Sequence, residues 1–259
     1  MSDQDAKLRY PKLPIATTES GERRRIGVEV EFAGLGEKDA AQVFVDTTDG
    51  SLRQEGTSWV CETEAFGACT FYLDTRFRDD LDQRGGEAAL QTARLVVPVE
   101  LVSDPFDPAL LPKFDRALAQ LRAAGAEGTG KSMAFGFGVH LNVEIASEAG
   151  GHIARVACSY ALLEPLLREM VGLDLSRRIM PFVEPFPQAL VTELAANPRT
   201  GLETLAHTVL AQTTSRNHGL DLLPILSWGA ESVVTDRVPP ETKIAPRPAY
   251  HYRLPECRI

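Results

Sequence analysis

The sequence predicts an α+β fold in which a curved, largely antiparallel sheet carries acidic residues on its concave face and helices cover its back. Two observations lead to this class. Several short segments alternate apolar and polar residues with the period of two that is typical of half-buried strands, while three longer segments repeat apolar residues at helical spacing. Acidic and imidazole side chains fall on the polar faces of the predicted strands, which places the chemistry on the sheet.

The first predicted strand begins after a polar arm. Residues 1–24 contain few apolar groups and end in a charged run, so we expect a flexible arm there. Residues 26–32 then alternate Ile, Val, Val and Phe with Gly, Glu and Glu, which predicts a two-faced strand.

The next segments predict more sheet. Residues 58–64 and 69–73 are rich in β-forming residues and flank Phe66-Gly67-Ala68, so they predict a hairpin. Residues 93–102 predict a further strand, in which Pro98 indicates an edge position or a bulge because proline cannot donate to a ladder.

A change of period marks the middle of the chain. Residues 108–124 predict an amphipathic helix, with Pro112 in its first turn and Gly125 just beyond its end. Residues 135–145 return to alternation and predict a strand whose polar face carries His140 and Asn142.

The last third of the chain predicts helices followed by a proline-rich basic tail. Residues 153–170 and 201–212 read as helices, and the apolar stripe of the first is expected to be core. Residues 239–259 end in an alternating segment that places His251 and Arg253 on one face. The stripe consists of Leu162, Leu163, Leu166 and Leu167.

Composition limits the classes of function. The 259 residues contain 36 Asp and Glu against 27 Lys and Arg, for a formal net charge of −9, and this acidity argues against a surface for nucleic acid. The N-terminus lacks an apolar leader core, and no run of eighteen uncharged apolar residues occurs, so we expect neither secretion nor a membrane partner. Four cysteines without a C-x-x-C pair fit reduced thiols, so the expected location is the cytoplasm.

The most informative motif is Glu29-x-Glu31. Positions i and i+2 of a strand share a face, which places two carboxylates roughly 6.5 to 7 Å apart, where they need a cation or exposure to solvent. Glu100, His140 and Asn142 also stand among apolar neighbours of predicted strands. If these strands are neighbours, the glutamates and His140 converge on one acidic basin. An oxygen-rich set with one imidazole suits Mg²⁺ or Mn²⁺, whereas zinc would recruit more His or Cys.

A competing motif occupies residues 125–132. This segment satisfies G-x-x-x-x-G-K-[ST], the phosphate-binding P-loop pattern, in which Lys131 would contact the phosphates. A P-loop follows a buried strand and opens a helix, but this segment follows a predicted helix and precedes a predicted strand. We therefore interpret it as a helix-to-strand turn.

Four segments on predicted strands form a common pattern: Arg25-x-Gly27-x-Glu29-x-Glu31-Phe32, Val99-Glu100-Leu101-Val102-Ser103, Gly138-Val139-His140-Leu141-Asn142 and Tyr252-Arg253. Together they resemble the amidoligase family, part of the glutamine synthetase and glutamate–cysteine ligase superfamily of ATP-dependent carboxylate–amine ligases. The resemblance covers roughly residues 24–259. It implies one catalytic domain over residues 25–259, similar to the catalytic domain of glutamine synthetase.

The resemblance also implies a reaction. ATP would phosphorylate a carboxylate, and an amine would displace phosphate from the resulting acyl phosphate, with a small-molecule or peptide acid and amine as substrates. The implied metal ligands for Mg²⁺ or Mn²⁺ are Glu29, Glu31 and Glu100. The implied catalytic residues are His140 and Arg253, and the implied nucleotide-binding residues are His140, Asn142, Arg247 and Arg253.

Two departures from the family pattern stand out. Where many relatives carry Glu-x-Arg on a strand, this chain has His251-Tyr252-Arg253, so that His251 stands at the position of a carboxylate ligand. The chain also ends at Ile259, where the pattern suggests further helix, and a truncated C-terminus is one expectation. A metal-dependent hydrolase that uses the same carboxylates, and a non-catalytic binding module with an acidic face, remain as alternatives; the oligomeric state stays open.

Overall fold

The computed structural model describes residues 10–73, 98–129, 137–173 and 183–259. The chain divides into two compact units. The first contains Met1–Ala16, Arg25–Val139 and Glu256–Ile259, and the second contains Thr17–Arg24 and His140–Pro255. Both units combine antiparallel strands with helices, which confirms the α+β class. The predicted arm and single catalytic domain stay predictions.

The first unit is built on five antiparallel strands in the order β2-β3-β4-β5-β1. The predicted first strand, the hairpin and the helix after residue 108 are confirmed, whereas α1 and β2 were not predicted. The elements are β1 (Ile26–Phe32), α1 (Glu37–Thr48), β2 (Ser51–Glu55), β3 (Ser58–Thr63), β4 (Gly67–Leu73), β5 (Val99–Ser103), a 3₁₀ turn (Pro108–Leu110) and α2 (Leu111–Ala123).

An aromatic cluster holds the helices of this unit against one face of its sheet. The rings of Phe44, Phe66, Phe71, Phe106 and Phe114 meet at centroid distances of 5.1 to 6.2 Å, mostly edge to face. All five side chains are buried. Because alternate residues of a strand point to opposite faces, burying the apolar face here leaves the glutamates of β1 on the other.

Strand β5 corrects the interpretation of Pro98. β5 pairs with β4 on one side and with β1 on the other, so it is an interior strand and not an edge. Pro98 precedes its first residue, a position where the missing N–H costs no ladder hydrogen bond. The predicted residues 93–97 lie outside the described part of the chain.

The glycine at the end of α2 supports the turn interpretation of the P-loop pattern. Gly125 has a φ of 114°, which suits glycine, and follows a helix rather than a strand. Glu127 then forms an isolated bridge with Ala33. Lys131 lies outside the described residues.

The second unit contains three antiparallel strands in the order β6-β8-β7, together with five helices among its described residues. The predicted strand before residue 145 is confirmed over its described part, as are the helices after residues 150 and 201. The elements are β6 (Val139–Glu144), α3 (Gly150–Val171), α4 (Gln188–Ala196), α5 (Leu202–Leu210), β7 (Leu220–Asp221), α6 (Leu223–Gly229), α7 (Glu231–Arg237) and β8 (Ala249–Tyr252).

Helix α3 shows that the predicted core stripe was largely wrong. Leu162, Leu163 and Leu166 are 58%, 50% and 52% exposed, and Leu167 alone of the four packs against the core. The helix instead buries the opposite side, which includes Ile153. Leu162, Leu163 and Leu166 therefore lie on the side of α3 that the rest of the described chain leaves exposed.

Two further findings concern the whole described chain. Among the described residues, which include all four cysteines, no disulfide forms, and each cysteine is buried. Among the described residues, every helix is too short or too polar to cross a membrane.

Candidate functional site

The first unit brings its three predicted metal ligands onto one face of the sheet. Glu31 of β1 lies directly opposite Glu100 of β5, and Glu29 lies opposite Val102. Because Glu29 and Glu31 are two residues apart, and paired residues of antiparallel strands share a face, all three carboxylates project on the same side. Each is half-buried.

The carboxylate of Glu31 is held in place by the backbone of the Gly-x-His segment. Its Oε2 accepts a hydrogen bond from Gly138 N at 2.8 Å, and Glu31 N donates to Gly138 O at 3.1 Å. A bond to an ionised acceptor is stronger than a neutral one. These two hydrogen bonds hold Glu31 in place on β1, directly opposite Glu100 on β5.

This donor set fits a hard divalent cation. Carboxylate oxygens are the ligands that Mg²⁺ and Mn²⁺ prefer. Glu29, Glu31 and Glu100 therefore have the chemistry to hold Mg²⁺ or Mn²⁺, and their assignment as ligands stays a prediction.

The second unit brings His140 together with His251. Asn142 of β6 lies opposite His251 of β8, which places His140, two residues before Asn142, on the same face as His251. The two imidazole rings meet edge to face with centroids 5.2 Å apart, and they offer nitrogen atoms within 4.8 Å of each other. Both side chains are buried.

Asp221 is a site residue that sequence reasoning missed. It lies opposite His251 on β7, and its Oδ2 is 3.2 Å from His251 Nδ1 and 3.0 Å from Arg216 Nε. Its Oδ1 accepts from Leu223 N at 3.0 Å. Burial by itself raises the pKa of Asp221, but the hydrogen bond with His251 and the charge of Arg216 outweigh it and hold the pKa below its ordinary value.

Asp221 bears on the departure from the family pattern at His251. The resemblance stated from the sequence implies a carboxylate at that position, whereas here a buried carboxylate from the adjacent strand lies beside the imidazole. A signal was present in the sequence, since Asp221 stands alone in the apolar segment Gly219-Leu220-Asp221-Leu222-Leu223. A lone acidic residue in such a segment needs buried partners.

The arginines of the C-terminal segment are ordered by different partners. Arg247 donates from Nε and Nη2 to Asn142 Oδ1 at 3.1 and 2.6 Å, so these two predicted nucleotide-binding residues lie together. Arg253 is buried, and its Nη1 donates to the carbonyl oxygen of Arg216. The roles of Asn142, Arg247 and Arg253 towards a nucleotide stay predictions.

A comparison with known families now decides the class of protein. A family model described as "Putative amidoligase enzyme" matches residues 22–259. The chain belongs to the amidoligase family. No curated protein and no solved structure matches it. As a member of this family the amidoligase is a ligase-type enzyme, and every residue of both groups described above lies within the matched range.

Proposed function

We propose that this amidoligase is an ATP-dependent ligase that forms an amide bond between a carboxylate and an amine through an acyl phosphate. The observation that carries the proposal is the β1–β5 register, which sets Glu31 against Glu100 with Glu29 on the same face. A sheet of the glutamine synthetase type, with an acidic concave face, is part of the proposal.

The chemistry starts from an unreactive acid. A carboxylate oxygen attacks the γ-phosphorus of ATP, the bond to the β,γ-bridging oxygen breaks, and ADP leaves. The amine then attacks the acyl carbon, loses a proton, and displaces inorganic phosphate. Bound Mg²⁺ or Mn²⁺ would offset the repulsion between the γ-phosphate and the carboxylate, and Glu29, Glu31 and Glu100 are the groups that would hold it.

The basic and amide residues of the second unit are proposed to bind the nucleotide. Arg253 presents a planar guanidinium, which suits phosphate oxygens better than an ammonium does, and its burial limits the number of side-chain conformations available to it. Arg247 and Asn142, already bonded to each other through Asn142 Oδ1, would add N–H donors near the nucleotide. His140 would contact the phosphates. The proposed substrates are small-molecule or peptide acids and amines in the cytoplasm.

The decisive experiment uses the full chain with MgATP and hydroxylamine as the amine. Panels of amino acids and dicarboxylic acids are tested for release of ADP and phosphate that requires the acid, together with formation of a hydroxamate, the product that hydroxylamine makes from an acyl phosphate. Binding of a non-hydrolysable ATP analogue is measured in parallel with and without Mg²⁺. We expect Mg²⁺-dependent nucleotide binding and a hydroxamate from at least one acid.

Other results would replace the proposal. Hydrolysis of amide substrates without ATP would favour the metal-dependent hydrolase. Failure to bind either the metal or the nucleotide analogue would favour a binding module with an acidic face. Glu31→Gln is the test variant, and Glu62→Gln is a matched control because Glu62 lies exposed on β3 of the same sheet.

A further inference from the structure

The second unit holds two buried imidazoles backed by a buried carboxylate. His140 and His251 lie on neighbouring strands, are 5% and 4% exposed, and offer nitrogens within 4.8 Å of each other. Asp221, 1% exposed, lies behind His251 on the next strand. We infer that His140 and His251 form a metal position selective for transition-metal ions such as Mn²⁺, Co²⁺ or Zn²⁺ over Mg²⁺, and that Asp221 orients His251 for it.

The orientation of His251 follows from what Asp221 can do. The carboxylate accepts from Arg216 Nε and Leu223 N, which are donors only, and a carboxylate with two such donors is stabilised in its ionised form. An ionised carboxylate only accepts, so His251 Nδ1, 3.2 Å away, carries the proton. In a neutral imidazole the lone pair then resides on Nε2, the atom that would bind a metal.

Asp221 is suited to this positioning role because its own conformation is restricted. Arg216 holds one oxygen, Leu223 N holds the other, and the side chain is buried. Metal-binding histidines commonly donate their second ring nitrogen to a carboxylate, which sets the tautomer and the ring orientation and makes the ligand more basic. The arrangement of Asp221 and His251 has this pattern.

The selectivity follows from the ligand type. Imidazole nitrogen suits zinc and the later first-row transition metals best, and Mn²⁺ accepts it beside the oxygen ligands that it prefers, whereas Mg²⁺ is a hard ion that prefers oxygen. The amidoligase pattern implies a carboxylate where this chain carries His251. That exchange adds a second imidazole beside His140, and the preference of the position moves away from Mg²⁺.

The test measures metal binding without nucleotide, so it is independent of ligase activity. Mn²⁺, Co²⁺ and Mg²⁺ are titrated separately into the full chain by calorimetry. The Mn²⁺ sample is examined by pulsed EPR for ¹⁴N coupling, which reports imidazole ligation, and the Co²⁺ sample by proton NMR for a paramagnetically shifted, exchangeable ring N–H. We expect both signals, and at least one Co²⁺ site that excess Mg²⁺ does not displace.

The variants separate ligation from positioning. His251→Ala should remove the ¹⁴N coupling of one imidazole. Asp221→Asn should weaken Co²⁺ binding by about 10- to 100-fold and remove the shifted N–H signal, because an amide nitrogen can donate to Nδ1 and select the other tautomer. His207→Ala, on the exposed side of α5, is the control and should bind Co²⁺ as the wild type does. Circular dichroism checks the fold of each variant.

Several outcomes would overturn the inference. Wild-type spectra that show oxygen ligation only would refute the metal position, and this measurement does not depend on any variant folding. Wild-type Co²⁺ affinity in folded Asp221→Asn would refute the positioning role. ATP-dependent turnover without any imidazole signal would support the proposed function and refute this inference. An imidazole signal without ATP-dependent turnover would support this inference and count against the proposed function.

Discussion

Replacing Glu31 by glutamine separates the role of its charge from that of its shape. In the metal-free protein the loss of charge relieves the repulsion with Glu100, directly opposite, by about 0.2–1 kcal/mol. The hydrogen bond from Gly138 N at 2.8 Å changes from charge-assisted to neutral, which costs about 1 kcal/mol. These effects oppose each other, so the free energy of unfolding should change by less than about 1 kcal/mol.

Adding the metal should reveal the difference. A cation that binds only the folded state stabilises it by RT ln(1 + [L]/Kd), about 2.7 kcal/mol at a hundredfold excess over Kd. The wild type should therefore gain stability on addition of Mn²⁺, while Glu31→Gln should gain much less and lose ligation. Urea unfolding with and without Mn²⁺ measures both terms, and Glu62→Gln should behave as the wild type. An equal gain in Glu31→Gln would refute the assignment of Glu31 as a ligand.

Three further predictions rest on burial and geometry. Burial, with a smaller effect of neighbouring charge, raises the pKa of the Cys61 thiol from 9.0 to about 12. The neutral thiol therefore stabilises the fold below pH 9, and this contribution is lost as pH rises towards 12. In urea unfolding, the free energy of unfolding of Cys61→Ala should decline less steeply above pH 9 than that of the wild type. Leu166→Ala, at an exposed site, should change the free energy of unfolding by less than about 0.5 kcal/mol, against about 2–5 kcal/mol for Leu205→Ala at a buried site. If urea unfolding gave similar losses for the two variants, the exposure of this side of α3 would be contradicted. Arg253→Lys should weaken the binding of an ATP analogue by about tenfold or more, as measured by calorimetry, because one ammonium cannot bind two phosphate oxygens as a planar guanidinium does. Unchanged affinity for the analogue would make Arg253 a structural residue.

Much of the secondary structure was predictable because its signal is local. The period of two in β1 and the β-forming residues around Phe66 predicted their strands, and the period change after residue 108 predicted α2. Helix α1 was missed since its 12 residues mix charged and β-branched side chains, and packing of Phe44 against other aromatic rings stabilises it. Short helices such as α6 likewise depend on tertiary burial.

The candidate site divides in the same way. The spacing of Glu29 and Glu31 is sufficient to place two carboxylates on one face of a strand. Asp221 was missed because its importance depends on the pairing of β7 with β8, in which it lies opposite a residue 30 positions further along the chain. The leucines of α3 were misjudged because helical periodicity identifies an apolar side but not whether another element covers it.

By itself, the sequence determined the alternation of β1, the two carboxylates it presents, the end of α2 just before Gly125 and the resemblance to amidoligases. Each of these depends on neighbours within a few residues or on motifs that can be read along the chain. Only the tertiary structure decided that Glu31 faces Glu100 and that Asp221 supports His251. Strand order and register bring together residues far apart in the chain, and the free energy that selects them comes from burying one face of each sheet rather than from local backbone preference.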